Sequence, residues 1–263
     1  MPRANRHHIP GCVWHITHRC HQKEFLLKFP CDRRRWIRWL FEARKRYGLC
    51  VLNYMVTSNH IHLLVVDGEN DQTIPSSIQL VAGRTAQEYN QRKHRKGAFW
   101  EDRYHATAVQ TGKHLFRCME YIDLNMVRAG VVRHPAEWEF CGYSVMQNPR
   151  PRYRIIDTDR LAEVLKLNSV EELAPRQRSW VDAALAGEGN LRELKWTGSI
   201  AVGDQAFVEN VMEKLGVKAM YRKISEENGI YTLREPPIPY RSDFQSKIGQ
   251  ISVLNSYFWE LTH

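Results

Sequence analysis

The chain has 263 residues, of which 43% are hydrophobic and 25% are charged, as in an ordinary globular protein. The sequence contains no run of about 18 apolar residues, and its N-terminus lacks the apolar core of a signal peptide. Six cysteines without a CxxC pair favour reduced thiols over a disulfide scaffold. These features argue against a membrane-spanning or secreted protein and predict a cytoplasmic one.

The formal net charge of +9 is divided unevenly along the chain. Residues 1–150 carry a charge of +10 and eleven of the twelve histidines, whereas residues 151–263 carry a charge of −1. An evenly solvated surface does not divide in this way. The N-terminal part is therefore predicted to face a polyanion, either nucleic acid or an acidic membrane surface.

The first predicted elements are a strand and a basic helix. Residues 12–20 alternate apolar and polar positions and include aromatic and β-branched residues, which predicts a strand. A helix is predicted from Asp32, as its N-cap, to Tyr47, with Gly48 as its stop. The basic residues on its outer face indicate either a surface in contact with solvent or a surface that contacts phosphate. Phosphate contacts would be made through Arg33, Arg34 and Arg35.

The next two elements form a predicted hairpin. Residues 49–56 and 60–66 are strand-like and are joined by a short polar turn. Because strand side chains alternate between faces, His60 and His62 lie on the same face, about 6–7 Å apart along the backbone. Two such imidazoles can share one metal ion. The alternative is an amphipathic strand with two histidines facing solvent.

A second helix is predicted over residues 75–92, a fourth strand over 99–109 and a third helix over 112–129. The order β-α-β-β-α-β followed by a helix predicts an α+β fold of the ferredoxin-like, split βαβ type. Such a fold has a four-stranded antiparallel sheet with two helices on one face. The third helix is left to cover the other face, where it meets the two histidines.

Two polar side chains on the third helix extend this pattern. Tyr121 and Asn125 are one helical turn apart, beside the apolar stripe. An amide oxygen and two imidazoles are acceptable ligands for Mg²⁺ or Mn²⁺, and a tyrosine hydroxyl beside such an ion can act as a nucleophile. The alternatives are a tyrosine at the rim of the core and an asparagine in a capping or packing role.

At this point the sequence resembles a known family. The run Ser58-Asn-His-Ile-His-Leu-Leu64 resembles the His-hydrophobic-His motif of HUH single-tyrosine transposases, and residues 121–130 resemble their catalytic helix. Residues 11–17 and 99–105 resemble, more narrowly, the REP-associated tyrosine transposases. In this sequence Met126 stands where that group often has proline, and methionine is expected to extend the helix.

The resemblance implies metal-dependent cleavage and rejoining of single-stranded DNA beside a palindromic hairpin. It implies Tyr121 as the nucleophile that forms a 5′-phosphotyrosine, and His60, His62 and Asn125 as ligands of Mg²⁺ or Mn²⁺. It also implies a bacterial, nucleoid-associated protein that acts as a monomer or a homodimer. Two further readings stay open: a non-catalytic nucleic-acid-binding protein on the same fold, and a metal-dependent nuclease that uses activated water.

Basic and aromatic residues of the N-terminal part are predicted to contact DNA. Arginine and lysine supply salt-dependent affinity for phosphate, and aromatic rings stack on unpaired bases. The alternative for the aromatic segment is an edge strand whose aromatics belong to the core. The predicted DNA-binding set is Arg33, Arg34, Arg35, Arg84, Lys93, Arg95, Lys96, Trp100, Arg103, Tyr104, His105, Arg117 and Arg128.

The sequence divides into a predicted transposase domain, residues 1–147, and a C-terminal accessory region, residues 148–263. The division falls at a Pro/Arg-rich stretch. Helices are predicted over 158–187 and 204–216, with a further apolar segment over 249–263, so the accessory region is expected to be mostly helical. Its near-zero charge argues against a role as the main phosphate-binding surface.

Overall fold

The computed structural model describes residues 8–149, 151–187, 193–219 and 221–235. The strands are β1 (Val13–Arg19), β2 (Cys50–Val56), β3 (His60–Val66), β4 (His105–Val109), β5 (Ala201–Gly203), β6 (Lys223–Glu227) and β7 (Ile230–Arg234). The helices are α1 (Pro30–Tyr47), α2 (Thr73–Arg92), α3 (Lys113–Asp123), α4 (Asn125–Arg128), α5 (Gly142–Gln147), α6 (Thr158–Val164), α7 (Leu173–Ala186), α8 (Lys195–Gly198) and α9 (Gln205–Leu215). Among the helices within these ranges, none is both long enough and apolar enough to cross a membrane.

The strands form one sheet in the order β2-β3-β1-β4-β5-β7-β6. β1 is antiparallel to both of its neighbours, and Thr17 lies opposite His62 of β3 and His105 of β4. β2 and β3 form the predicted antiparallel hairpin. The first four strands follow the predicted arrangement, but the prediction of a four-stranded sheet is wrong because β5, β7 and β6 extend the sheet beyond β4.

The three added strands come from the C-terminal region. β5 runs parallel to β4, with Ala201 opposite Ala108 and Val202 opposite Val109. This pairing covers the edge that β4 would expose in a four-stranded sheet. β5 has three residues, and four of the five residues of β6 are polar, so neither shows the apolar alternation that predicts a strand. A mostly helical C-terminal region is therefore an incomplete description of it.

The two faces of the sheet are covered by different elements. On one face α1 packs over β2, with the ring centroids of Trp36 and Tyr54 6.4 Å apart. α2 lies beside α1, and the Trp39 indole donates a hydrogen bond of 3.0 Å to Glu88. Strand alternation directs His60 and His62 to the opposite face. That face is covered by α3 and by C-terminal elements, including the fully buried Trp196 of α8.

The predicted third helix is interrupted. α3 ends at Asp123, and α4 begins at Asn125 after Leu124, whose backbone angles are φ −81° and ψ 2°. A 2.9 Å hydrogen bond from the Arg128 amide to the Leu124 carbonyl continues the turn. The prediction of one continuous helix over 112–129 is therefore wrong at this position. The interruption lies between Tyr121 and Asn125.

A buried polar network fixes α3 against its neighbours. The Asp123 carboxylate is 1% exposed and accepts hydrogen bonds from Asn53 Nδ2 at 2.9 Å and from Gln177 Nε2 at 2.8 Å. Burial raises the pKa of Asp123 from 3.8 to about 7, and the two hydrogen bonds oppose this rise. The end of α3 is thereby tied to β2 on one side and to α7 of the C-terminal region on the other.

Other element boundaries differ in smaller ways. α1 begins at Pro30, so Asp32 lies in its first turn, buried and ion-paired with Arg92, and is not its N-cap. The helix ends as predicted at Gly48, which has a left-handed φ of 69°. The predicted fourth strand is shorter, residues 105–109 in place of 99–109.

In the C-terminal region the predicted helix over 158–187 is two helices, α6 and α7. Lys166, with a φ of 55°, lies between them. The prediction for 204–216 is confirmed as α9, whose N-cap Asp204 accepts a hydrogen bond from the Phe207 amide at 2.8 Å. The segment 249–263 lies outside the described residues. The domain boundary after residue 147 stays a prediction.

Candidate active site

The two histidines of β3 meet the interrupted helix at one point. The ring centroids of His60 and His62 are 4.9 Å apart. The ring of Tyr121 lies 5.7 Å from that of His62 between centroids, with the planes at 86°. The Asn125 amide nitrogen lies 3.0 Å from His62 Nε2. The structure therefore brings together the four residues predicted as nucleophile and metal ligands.

His62 is buried and is contacted at both ring nitrogens. Its Nδ1 lies 2.9 Å from His15 Nε2, and its Nε2 faces the amide of Asn125. Burial lowers the pKa of His62 well below its usual value, and the nearby His60 lowers the pKa further. At neutral pH His62 is consequently a neutral imidazole, the form that binds metal ions.

The turn before β3 orients His60. Its Nδ1 lies 2.7 Å from Asn59 Oδ1 and 3.0 Å from the Thr57 hydroxyl. Asn59 Nδ2 donates to the Lys23 carbonyl at 3.1 Å, which identifies the atom facing the ring as the amide oxygen. A neutral His60 therefore carries its proton on Nδ1 and has its lone pair on Nε2.

The donors in this cluster fit a divalent ion. Neutral imidazoles and an amide oxygen suit Mn²⁺, and imidazole is a less usual ligand for Mg²⁺. Rotating the Asn125 amide by about 180° exchanges its nitrogen and oxygen, a choice that hydrogen bonding decides. The described part of the chain contains no group of three or more His, Cys, Asp or Glu suited to a metal. The role of the Asn125 amide as third ligand beside the two imidazoles stays a prediction.

Tyr121 forms part of the wall of the same site. It is 5% exposed, and its ring also lies 6.2 Å from His15 and 6.4 Å from Trp196 between centroids. The Arg128 guanidinium carbon lies 4.3 Å from the centroid of the tyrosine ring, and the guanidinium donates to the Tyr121 backbone carbonyl. A positive charge thus lies beside the phenol, where it offsets negative charge.

A cleft of about 820 Å³ opens over these residues. It lies between the end of β1, the start of β3, the 101–103 segment and the α3–α4 break. Cations outnumber acids in its lining, which suits a phosphate backbone. The charged residues of the lining are Arg19, Lys23, Arg103, Arg128, Glu101 and Asp102.

Three of the predicted DNA-binding residues line this cleft: Arg103, His105 and Arg128. Arg103 is exposed, as a phosphate contact requires. The ring of His105 is half-buried, and its Nε2 lies 2.9 Å from the Ser199 carbonyl. Of the predicted DNA-binding arginines and lysines, Arg103 and Arg128 therefore line the cleft.

Two residues predicted to contact DNA, Arg33 and Trp100, pack against the core of the protein. Arg33 is buried, with its guanidinium carbon 4.4 Å from the Trp138 ring centroid, and it donates to the Lys28 carbonyl at 2.8 Å. Trp100 stacks on His18, with ring centroids 4.2 Å apart. For Trp100 the placement favours the alternative of an aromatic that belongs to the core. Arg33 fits neither a solvated surface nor a phosphate contact, because it is buried and its guanidinium is already bonded within the chain.

The remaining predicted contacts lie outside the cleft lining, and three of them are ion-paired within the chain. These pairs are Arg34 with Glu139, Arg35 with Glu88, and Arg95 with Glu24. Surface pairs of this kind can exchange partners at low cost. A role in DNA binding stays a prediction for Arg34, Arg35, Arg84, Lys93, Arg95, Lys96, Tyr104 and Arg117.

Sequence reasoning missed four residues of the site: His15, Arg19, Lys23 and Trp196. Strand alternation places His15 and Arg19 on one face of β1, but the sequence does not reveal the register that brings this face beside His62. Lys23 follows β1 in a short helical turn and has an unusual φ of 60°. Trp196 lies far along the chain and carries no local signal.

A comparison with protein-family models agrees with the N-terminal location of the site. Residues 8–125 match the family model described as "Transposase IS200 like". A solved REP-associated tyrosine transposase bound to a REP hairpin is similar with a TM-score of 0.48 and 18% identity, over 59% of this chain and 90% of that chain. A candidate transposase from Deinococcus radiodurans R1 has a TM-score of 0.31 and 16% identity, over 40% of this chain and 84% of that one. The curated proteins contain no match.

The matched segment begins just before β1 and ends at Asn125, so it spans β1 to β4 and includes His60, His62 and Tyr121. It excludes the C-terminal strands and α8. Residues 8–125 of this chain are therefore similar to the IS200-like transposases.

Proposed function

We propose that the chain cuts and rejoins single-stranded DNA, with Tyr121 as the nucleophile and with His60, His62 and Asn125 as ligands of a divalent ion. The observation that carries the proposal is that these side chains meet in one cleft. The ring centroids of Tyr121 and His62 are 5.7 Å apart, and the Asn125 amide nitrogen lies 3.0 Å from His62 Nε2. The similarity of residues 8–125 to IS200-like transposases supports the same chemistry.

In the proposed cleavage step the Tyr121 hydroxyl oxygen attacks a backbone phosphorus atom. A bond from the phenolic oxygen to phosphorus forms, the bond from phosphorus to the 3′ oxygen breaks, and the phenolic proton passes to solvent. The departing 3′ oxygen takes up a proton and leaves as a hydroxyl. Attack by another 3′ hydroxyl on the phosphotyrosine reverses these changes and rejoins the strand, so no external energy source is needed.

The chain's own residues supply orientation and charge for this step. Asn59 contacts Nδ1 of His60, and His15 contacts Nδ1 of His62, so both imidazoles are oriented. Arg128 lies beside the phenol of Tyr121. A divalent ion held by the three ligands would polarise the scissile phosphate and neutralise its developing charge. Arg19 and Arg103 lie in the lining and can hold the flanking phosphates.

The substrate we propose is a palindromic repeat that folds into a hairpin with unpaired bases beside it. This follows from the resemblance to REP-associated transposases and from the excess of cations in the cleft. A location in the cytoplasm, beside the nucleoid, is part of the same proposal. In the single chain, Tyr121 and both histidines lie in one cleft, which supports action in cis by a monomer.

The decisive test incubates the full chain with labelled hairpin oligonucleotides and Mn²⁺ and looks for a denaturation-resistant protein–DNA adduct. Tyr121→Phe is expected to abolish both cleavage and the adduct. Tyr47→Phe, at an exposed tyrosine at the end of α1, is the matched control and keeps both. His62→Ala is expected to reduce cleavage more than 100-fold, because one buried ligand is lost.

Three outcomes would contradict the proposal. Cleavage that persists in Tyr121→Phe without an adduct favours a nuclease that uses activated water. Tight oligonucleotide binding without cleavage by the wild-type chain favours a non-catalytic binding protein. Recovery of adduct formation in a mixture of Tyr121→Phe and His62→Ala would replace action in cis by action in trans.

A further inference from the structure

We propose that His15 is a positioning residue that connects the Trp196 carbonyl of the C-terminal region to the metal ligand His62 and sets which His62 nitrogen faces the cleft. The inference rests on the proposed metal site. It assigns a role to a part of the chain that lies beyond the IS200-like segment, residues 8–125.

The contacts of His15 define a line of hydrogen bonds through the interior. His15 is fully buried on β1, and its Nδ1 lies 2.8 Å from the Trp196 carbonyl oxygen. Its Nε2 lies 2.9 Å from His62 Nδ1, and the two rings are nearly parallel, at 16° with centroids 5.1 Å apart. Two bonds of this length on one buried ring fix its orientation.

The direction of each bond follows from the chemistry of its end. A carbonyl oxygen only accepts, so His15 Nδ1 must donate to Trp196. His15 is fully buried, and burial disfavours a charged imidazole, so a ring with its proton on Nδ1 has its lone pair on Nε2. His62 Nδ1 must then donate to that lone pair. A neutral His62 is left with its own lone pair on Nε2, the nitrogen that faces Asn125 in the cleft.

The carbonyl that starts the line is itself fixed. Trp196 is fully buried, and its indole nitrogen donates to Glu193 at 2.6 Å. The Thr107 hydroxyl lies 3.3 Å from the same carbonyl and 2.6 Å from the Ser199 carbonyl. The α8 segment is therefore bonded to both β1 and β4, the strands beside the site. Partners of this kind behind a metal-binding histidine orient the ring and raise its affinity for metal.

Two substitutions at His15 distinguish its contact with the Trp196 carbonyl from its contact with His62. His15→Gln can place its amide oxygen near the former Nε2 position and still accept from His62. His15→Asn is shorter, so it can still donate to Trp196 but leaves His62 Nδ1 without an acceptor. A merely structural role for the Trp196 contact predicts that Asn is the milder change. Positioning of His62 predicts that Gln is the milder change.

The first readout is the affinity for Mn²⁺ alone, measured by titration calorimetry on the full chain. We expect His15→Asn to weaken Mn²⁺ binding by roughly 10- to 100-fold, and His15→Gln to stay within about threefold of the wild type. His114→Asn is the matched control and leaves the affinity unchanged; His114 is a buried histidine of α3 whose ring nitrogens have no hydrogen-bond partner among the described residues. Oligonucleotide affinity without metal is expected to be equal in all four proteins.

The second readout does not depend on any variant. Long-range ¹H–¹⁵N spectra of the metal-free wild-type chain report which nitrogen of each imidazole carries the proton, and we expect Nδ1 for both His15 and His62. A proton on His62 Nε2, or equal Mn²⁺ affinity in the wild type and a folded His15→Asn variant, overturns the inference. In the second case a sharp loss of affinity in His62→Ala would leave the proposed metal site standing. Absence of Mn²⁺ binding by the wild type would overturn both.

Discussion

His18 links the stability of the protein to pH at a position next to the cleft. Its ring stacks on Trp100, and its Nε2 lies 2.8 Å from the Asp102 carbonyl oxygen, one residue before Arg103. Burial lowers the pKa of His18 from 6.5 to about 4, and the Asp102 carbonyl opposes the change only in part. The neutral ring therefore helps to hold the segment that carries Arg103 into the cleft.

The sign and size of the pH effect follow from these values. In the unfolded chain His18 binds a proton near pH 6.5, whereas in the folded chain it binds one only near pH 4. The unfolded state binds more protons between these limits, so the free energy of unfolding falls as the pH drops through this window. The gap corresponds to about 3 kcal/mol at about 1.4 kcal/mol per pKa unit.

The assay compares urea unfolding of the wild type and His18→Phe near pH 7.5 and near pH 4. Phenylalanine keeps the ring stacked on Trp100 but cannot titrate, so other histidines cancel in the difference. We expect the stability of the wild type relative to the variant to decrease by about 3 kcal/mol at the lower pH. His94→Asn, at an exposed position with a φ of 50°, controls for the loss of a histidine. A difference that stays constant within about 0.5 kcal/mol would refute the desolvation of His18.

Three further predictions concern DNA binding and packing. Arg103→Ala should weaken oligonucleotide binding and lower the slope of log affinity against log salt by about 0.7, because one phosphate contact is lost. Arg33→Ala should lower the free energy of unfolding by about 2 kcal/mol, since its cation–π contact and hydrogen bonds are lost, while oligonucleotide affinity stays unchanged. Gln177→Ala should cost about 2 kcal/mol in urea unfolding, because it leaves one oxygen of the buried Asp123 without a donor. The same substitution at the exposed Gln205 should cost less than about 0.5 kcal/mol.

The central site was predictable because its signals are local. His60 and His62 share a face by strand alternation, and Tyr121 and Asn125 are neighbours by helical spacing. Both pairs depend on regular geometry within one element, and the order of elements then places the helix over the strand. The interruption at Leu124 had no such signal, since the residues on either side of it are compatible with a helix.

Features that depend on distant pairing were not predictable in the same way. The short β5 is held by its position beside β4, and its three residues cannot define a strand alone. The contacts of the basic residues on α1 also depend on distant parts of the chain. Arg33 follows the pattern of its neighbours in sequence, but it packs against Trp138, more than 100 residues away. A count of cations therefore identifies the charge of a region and not the side chains that meet DNA.

The C-terminal region can support the active site without binding DNA itself. Its near-zero net charge makes it a poor phosphate surface, yet β5 covers the edge of β4, and the Trp196 carbonyl of α8 contacts His15 and Thr107. Backbone carbonyls need no charged side chain for this task. Removal of the region after residue 147 would have two effects together: it would expose the β4 edge, and it would deprive the buried His15 of its acceptor, the Trp196 carbonyl. Loss of activity in such a truncation would therefore say little about DNA recognition, whereas the paired substitutions at His15 separate support of the site from the integrity of the fold.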